Sequence, residues 1–84
     1  MAEVDIIIQV KGQIIPVEVK SGSTGSLKSL HLFMDESVND IAVRISGNML
    51  NVETVSTPLS KKFRLLNIPY YLAGQVGKIA ENYI

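Results

Sequence analysis

The chain has 84 residues, and its eight basic and eight acidic side chains give a formal net charge of zero. That length allows one small domain and excludes two, and the charge balance excludes an overall positive field that would attract nucleic acid. Because cysteine is absent and no apolar run approaches the roughly 20 residues of a membrane span, we expect a cytoplasmic protein with no disulfide framework and no membrane partner.

The first third of the sequence predicts a β-hairpin. Ten Ile and nine Val against four Ala favour strands over helices, because β-branched side chains suit a pleated surface. Apolar residues alternate from Val4 to Val10, Lys11-Gly12 is typical of a two-residue turn, and a second alternating segment runs from Ile14 to Lys20. Strand-like residues begin at Val4 without a preceding cap, so we expect further sequence upstream.

A helical segment and a third strand follow the hairpin. Apolar residues at helical spacing after the polar segment Ser21–Ser26 predict a short helix over about Ser26 to Glu36. Alternation from Asp40 to Ser46 predicts a strand, and a strand, a helix and a strand in sequence favour a parallel crossover. We also predict two short strands, Met49–Val55 and Phe63–Leu66, and a C-terminal helix that begins at Pro69 and extends to Tyr83.

The hairpin register brings acidic residues together. With a two-residue turn at Lys11-Gly12, Asp5 lies across from Glu18 and Glu3 lies across from Lys20, opposite an apolar face that includes Val4, Ile6, Val17 and Val19. Directly opposed carboxylates repel each other, and a hard divalent cation such as Mg²⁺ or Mn²⁺ would offset that repulsion. A three-residue turn would change the parity and separate these groups.

Lys20 lies two residues after Glu18 and therefore on the same strand face. Its ammonium group could stabilise a developing anion or orient a water beside a metal ion, which is the chemistry that phosphodiester hydrolysis requires. The hairpin thus predicts a metal-dependent site for a phosphodiester.

Asp5, followed after twelve residues by Glu18-Val19-Lys20, resembles the active-site signature of the PD-(D/E)XK nuclease superfamily. The resemblance implies a restriction-endonuclease-like α/β fold with a mixed sheet, whose first helix would lie upstream of Met1. It also implies that Asp5 and Glu18 are metal ligands, that Val19 contributes its backbone carbonyl, and that Lys20 is the catalytic lysine. Glu3 is a further candidate ligand.

A more specific resemblance covers nearly the whole chain. It rests on the segments Ala2–Ile8, Ile15–Gly22, Ser26–Leu30, Arg44–Ser46 and Leu66–Leu72. Together they resemble the uncharacterised C-terminal domain that follows the ATP-binding module in a prokaryotic family of AAA+ ATPases. The resemblance implies that residues 1–84 are a single nuclease-like domain, either a C-terminal fragment of a larger ATPase or a truncated relative. No Walker A loop is present, so we expect that this chain does not itself bind ATP.

Other residues are candidates for binding or for packing. Ser26, at a helix start, and Lys28 are candidates to contact nucleic-acid phosphate. His31 and the tyrosines Tyr70, Tyr71 and Tyr83 are interpreted as packing residues, although the tyrosines could also stack on bases. A cluster of basic residues, Lys61, Lys62 and Arg64, could touch phosphate but is more typical of a solvated loop.

Three functions follow from these patterns. The first is a DNA-binding or DNA-cleaving module that depends on Mg²⁺ or Mn²⁺. The second is a noncatalytic interaction or regulatory domain, derived from a nuclease and serving an upstream ATPase domain. The third is a dimerisation module, because an uncovered strand edge recruits a second copy, so we expect a homo-oligomer.

Overall fold

A computed structural model describes residues 4–20 and 28–84. These residues form five strands and two α-helices: β1 (Ile6–Val10), β2 (Gln13–Val19), α1 (Lys28–Glu36), β3 (Ile41–Ser46), β4 (Asn51–Ser56), β5 (Lys62–Pro69) and α2 (Val76–Glu81). A 3₁₀ helix, Tyr70–Gln75, connects β5 to α2. None of the helices in the described part of the chain is long and apolar enough to cross a membrane.

The turn between β1 and β2 fixes the register of the hairpin. Lys11 and Gly12 have φ values of 50° and 79°, and two consecutive positive φ values are the signature of a type I′ turn. The strands pair antiparallel with Ile6 opposite Val17, which confirms the predicted register.

The five strands form one mixed sheet in the order β1-β2-β3-β5-β4. β2 and β3 are parallel, which confirms the crossover predicted from the strand, helix and strand pattern. β5 lies between β3 and β4, parallel to the first and antiparallel to the second. The predicted mixed α/β class is therefore correct, and β1 and β4 are the two edge strands.

Helices cover both faces of the sheet, as the alternation along β3 shows. Ile41, Val43 and Ile45 point to the face covered by the 3₁₀ helix and α2, where Ala80 is fully buried. Ala42 points to the opposite face, and the cluster on that face is Leu30, Met34, Ala42, Phe63 and Leu65. Each strand side chain is assigned to a face by this period of two.

The apolar face of the hairpin differs from the prediction at its open end. Val4 was expected to share a core with Ile6 and Val19, but it packs against the cluster on the α1 side. The chain bends at Asp5 and β1 begins only at Ile6, so the alternation does not extend back to Val4. Ile6 and Val19 are themselves about half exposed, at 49% and 43%.

The C-terminal helix also differs from the prediction. Pro69 ends β5 with extended backbone angles and precedes the helix, rather than occupying its first position. The segment then begins as a 3₁₀ helix and becomes α-helical only at Val76. Gly74 and Gly77 lower the helix propensity of this segment, which explains its short α-helical part. The predicted helix start at Ser26 lies outside the described residues.

The type I′ turn makes a prediction about Lys11. A left-handed conformation costs an ordinary L-residue roughly 1–2 kcal/mol, whereas asparagine tolerates it and Asn-Gly is the preferred pair for this turn. We expect Lys11→Asn to raise the thermal unfolding midpoint and Lys11→Val, which introduces a β-branched side chain, to lower it. Equal midpoints for the two variants in a calorimetric scan would contradict the turn assignment.

Candidate functional site

Asp5 lies where the chain enters the hairpin, and its carboxylate contacts the end of β2. Its Oδ2 atom accepts a hydrogen bond from the backbone N–H of Val19 at 2.8 Å. Since the N–H and C=O of one strand residue point to the same edge, the Val19 carbonyl also lies on the edge that faces Asp5. The Asp5 carboxylate and the Val19 carbonyl therefore lie at the same edge of β2.

Glu18 and Lys20 point to one face of β2, as their spacing predicts. The Nζ atom of Lys20 is 3.3 Å from Oε1 of Glu18, and their side chains are only 12% (Glu18) and 21% (Lys20) exposed. The second carboxylate oxygen of Glu18, Oε2, is buried and has no hydrogen-bond partner among residues 4–20 and 28–84. A buried oxygen without a donor costs free energy, and a bound donor or cation would remove that cost.

The other predicted site residues are only partly accounted for. The pairing of β1 with β2 ends at Ile6 and Val17, so Asp5 lies just before the ladder and contacts β2 through the hydrogen bond from Val19. Glu3 and Ser26 lie outside the described residues, and Lys28 is the exposed first residue of α1. Across residues 4–20 and 28–84, no three His, Cys, Asp or Glu side chains gather as metal ligands would. The described candidate ligands are therefore two carboxylates and one backbone carbonyl.

The backbone of Lys20 is held by two neighbouring elements. Its N–H donates to the carbonyl of Ile45 on β3 at 2.8 Å, and its own carbonyl accepts a hydrogen bond from the Tyr70 hydroxyl. The packing role predicted for Tyr70 and Tyr71 is wrong, since they are 46% and 84% exposed, whereas Tyr83 packs against the core as predicted. The contact of Tyr70 depends on the strand order β2-β3-β5, which no local sequence signal reveals.

A row of polar side chains continues across the sheet from Glu18. Glu18 pairs with Arg44 on β3, Arg44 with Asn67 on β5, and Asn67 with Asn51 on β4. Arg44 Nε donates to Asn67 Oδ1 at 2.8 Å, and Asn67 Nδ2 donates to Asn51 Oδ1 at 2.8 Å and to Glu53 Oε2 at 2.6 Å. We call these five residues the polar row. Sequence reasoning missed it, since each strand contributes only one or two of its members.

The basic cluster and His31 have internal roles. Lys61 Nζ donates to the carbonyls of Ser37 and Asn39, and Arg64 Nη2 donates to the carbonyl of Tyr83. The side chains of Lys61 and Arg64 therefore hydrogen-bond to backbone carbonyls in the segments that follow α1 and α2. His31 stacks edge-to-face on Phe63 with ring centroids 6.0 Å apart, so its interpretation as a packing residue is confirmed.

Comparison with known proteins gives a family but no activity. A family model described as "Domain of unknown function (DUF4143)" matches residues 1–71, and the chain belongs to this family. No curated protein and no solved structure matches the chain significantly.

The hydrogen bond from Tyr70 makes a prediction about the end of β2. Tyr70→Phe removes the donor to the Lys20 carbonyl and keeps the ring, so we expect a loss of about 0.5–1 kcal/mol of unfolding free energy, to be measured by urea denaturation. Tyr71→Phe, a matched change at a more exposed ring, should have no measurable effect. A loss of the same size in both variants would mean that the Tyr70 hydroxyl does not stabilise this end of the strand.

Proposed function

We propose that this member of the DUF4143 family is a nuclease-like module that binds DNA through a divalent cation, Mg²⁺ or Mn²⁺, and promotes hydrolysis of a phosphodiester. The observation that carries the proposal is the buried Oε2 of Glu18, which has no hydrogen-bond partner in the described part of the chain and lies beside a hairpin end where the Asp5 carboxylate reaches Val19. A cation at that point would satisfy this oxygen.

The donor set fits a small, hard cation. The carboxylates of Asp5 and Glu18 and the carbonyl of Val19 all offer oxygen atoms; Asp5 directly precedes β1, and Glu18 and Val19 are the last two residues of β2. Mg²⁺ typically takes one or two protein carboxylates and completes its shell with waters and substrate phosphates, so a third acidic side chain is not required. When bound, such an ion supplies Lewis-acid polarisation of a phosphoryl oxygen and a nucleophilic water.

Lys20 is the residue that would stabilise charge on the reacting phosphate. Its ammonium lies 3.3 Å from Glu18 and is mostly withdrawn from solvent, which strengthens its interaction with an anion. The backbone contacts to Ile45 and Tyr70 fix its Cα position. A group positioned before the reaction needs little reorganisation as negative charge develops.

The order of elements supports the same proposal. Asp5 precedes the first strand of the hairpin, and Glu18 and Lys20 lie at the end of its second strand. Helix α1 and the parallel strand β3 come next. This order is the one that the PD-(D/E)XK resemblance implies. By the same resemblance, we propose that the domain works together with an AAA+ ATP-binding module, which would couple DNA contact to nucleotide hydrolysis.

The alternative is a noncatalytic interaction, regulatory or dimerisation module. One observation favours it: Asp5 and Glu18 each have a partner within the chain, the Val19 N–H and the Lys20 ammonium. The edge strand β1 also exposes Ile6 and Ile7, at 49% and 54%, which is an apolar edge that a second copy could cover.

Metal binding and stability test the cation site together. With Mn²⁺ at 100 times its dissociation constant, the unmodified chain should gain about 2.7 kcal/mol of unfolding free energy, and Asp5→Asn and Glu18→Gln should gain much less. Glu81→Gln, at an exposed position on α2, is the control and should keep the full gain. An unmoved melting curve for the unmodified chain in millimolar Mn²⁺ would favour the noncatalytic alternative.

Lys20 separates cation binding from hydrolysis. Lys20→Met should keep most of the Mn²⁺ gain in melting temperature but abolish cleavage of plasmid DNA, since its proposed role lies in the transition state. Lys62→Met removes an exposed lysine elsewhere and should leave both measurements unchanged. Cleavage by Lys20→Met at the unmodified rate would show that this lysine takes no part in the reaction.

A further inference from the structure

We propose that Arg44 binds a phosphate of the DNA strand held at the hairpin site, and that Glu53 occupies the phosphate position when DNA is absent. This inference rests on the proposed function and adds to it the residue that contacts the substrate backbone. It is carried by the position of Arg44 beside Glu18, by the way Asn67 holds the guanidinium, and by the long contact to Glu53.

Arg44 is the neighbour of Glu18 across the β2–β3 ladder. The two residues pair in register, so their side chains leave the same face of adjacent strands, about 4.8 Å apart along the sheet. A phosphate bound to a cation at Glu18 therefore comes within reach of a long side chain at position 44.

Buried neighbours orient the guanidinium of Arg44. Its Nε–H donates to Asn67 at 2.8 Å, and Asn67 is 1% exposed and is itself held by Asn51. A guanidinium has five N–H donors in a rigid plane, so fixing Nε sets the direction of the donors on both terminal nitrogens. Orientation before binding lowers the entropic cost of gripping a phosphate.

The contact between Arg44 and Glu53 is weak enough to exchange. Arg44 Nη2 is 3.5 Å from Glu53 Oε2, whereas a strong charge-assisted hydrogen bond measures about 2.7–2.9 Å. The Glu53 side chain is 48% exposed on the edge strand β4, while that of Arg44 is 14% exposed. A phosphate offers the same two-oxygen geometry as a carboxylate, and on displacing Glu53 it would take over both contacts of Oε2, the long one to Arg44 and the 2.6 Å hydrogen bond from Asn67 Nδ2.

The local charge balance makes this exchange dependent on the cation. Without metal, the carboxylates of Asp5, Glu18 and Glu53 outnumber the cations Lys20 and Arg44 by one, which disfavours an anion. A divalent cation at the hairpin site reverses the sign of this balance, and displacement of Glu53 makes it more positive.

The experiment measures the affinity for a short fluorescein-labelled duplex DNA by anisotropy over a range of salt concentrations, in EDTA and in Ca²⁺. Arg44→Met should weaken binding about tenfold or more in Ca²⁺ and reduce the slope of log affinity against log salt by about 1, as the loss of one phosphate contact requires. The DNA affinity of Arg44→Lys should fall between that of Arg44→Met and that of the unmodified chain. Lys62→Met removes one positive charge on the opposite face of the sheet, and it should leave the affinity nearly unchanged.

Glu53→Gln gives the opposite sign and does not depend on the folding of an Arg44 variant. Removing the competing carboxylate should tighten DNA binding several-fold, whereas Glu81→Gln, which makes the same change in net charge on α2, should not. Equal effects of Glu53→Gln and Glu81→Gln would overturn the exchange, and an unchanged salt slope in a folded Arg44→Met would overturn the phosphate contact.

Failure of the cation site gives a different pattern. If the unmodified chain shows no Mn²⁺ shift in melting temperature but Arg44→Met and Glu53→Gln still change DNA affinity in opposite directions, the phosphate contact stands without the proposed metal. If the Mn²⁺ shift is present and neither variant departs from its charge-matched control, the metal site stands and the role of Arg44 is wrong.

Discussion

The type I′ turn at Lys11 and Gly12 is the constraint on which the rest of the site depends. Its two positive φ values set the register in which Ile6 faces Val17. Since side chains alternate with a period of two, a slip of one residue in this pairing would turn β1 over and carry Asp5 away from the strand end where its carboxylate accepts a hydrogen bond from Val19. One short turn therefore decides whether Asp5 reaches the strand that carries Glu18 and Lys20.

Local signals predicted the elements near this turn, but the more distant contacts could not be predicted. The hairpin, its register, helix α1 and the parallel crossover all follow from alternation, turn residues and helical spacing within short windows. The insertion of β5 between β3 and β4 follows from none of these, because it pairs segments whose partners are set by packing of the whole sheet. The hydroxyl of Tyr70 on Lys20 and the amide of Asn67 on Arg44 depend on that insertion.

The candidate site likewise combines residues that the sequence predicts with residues that it does not. Asp5, Glu18 and Lys20 could be proposed from their spacing alone, and the structure adds that one buried oxygen of Glu18 has no donor among the residues that it describes. Arg44 and Glu53 carry no comparable signal, since an arginine or a glutamate in an alternating strand is usually a solvated residue. The significance of Arg44 comes from its place on the inner strand β3, where a polar side chain must find a partner inside the protein, and that of Glu53 comes from its contact with Arg44 across the sheet.

The polar row places hydrogen-bonding side chains at the centre of a small sheet, where apolar side chains are usual. Asn67 occupies a fully buried position on an inner strand, where a leucine, which has a similar branched shape, would contribute hydrophobic burial without any need for partners. In a domain of 84 residues that stabilisation is a considerable fraction of the total, so a buried amide is a real cost even when its hydrogen bonds are made. What the amide provides, and a leucine cannot, is an acceptor for the Nε–H of Arg44. The amide of Asn67 thus lowers the stability of the sheet but fixes the direction of the Arg44 guanidinium. Such a trade is expected where a charged side chain has to meet a ligand.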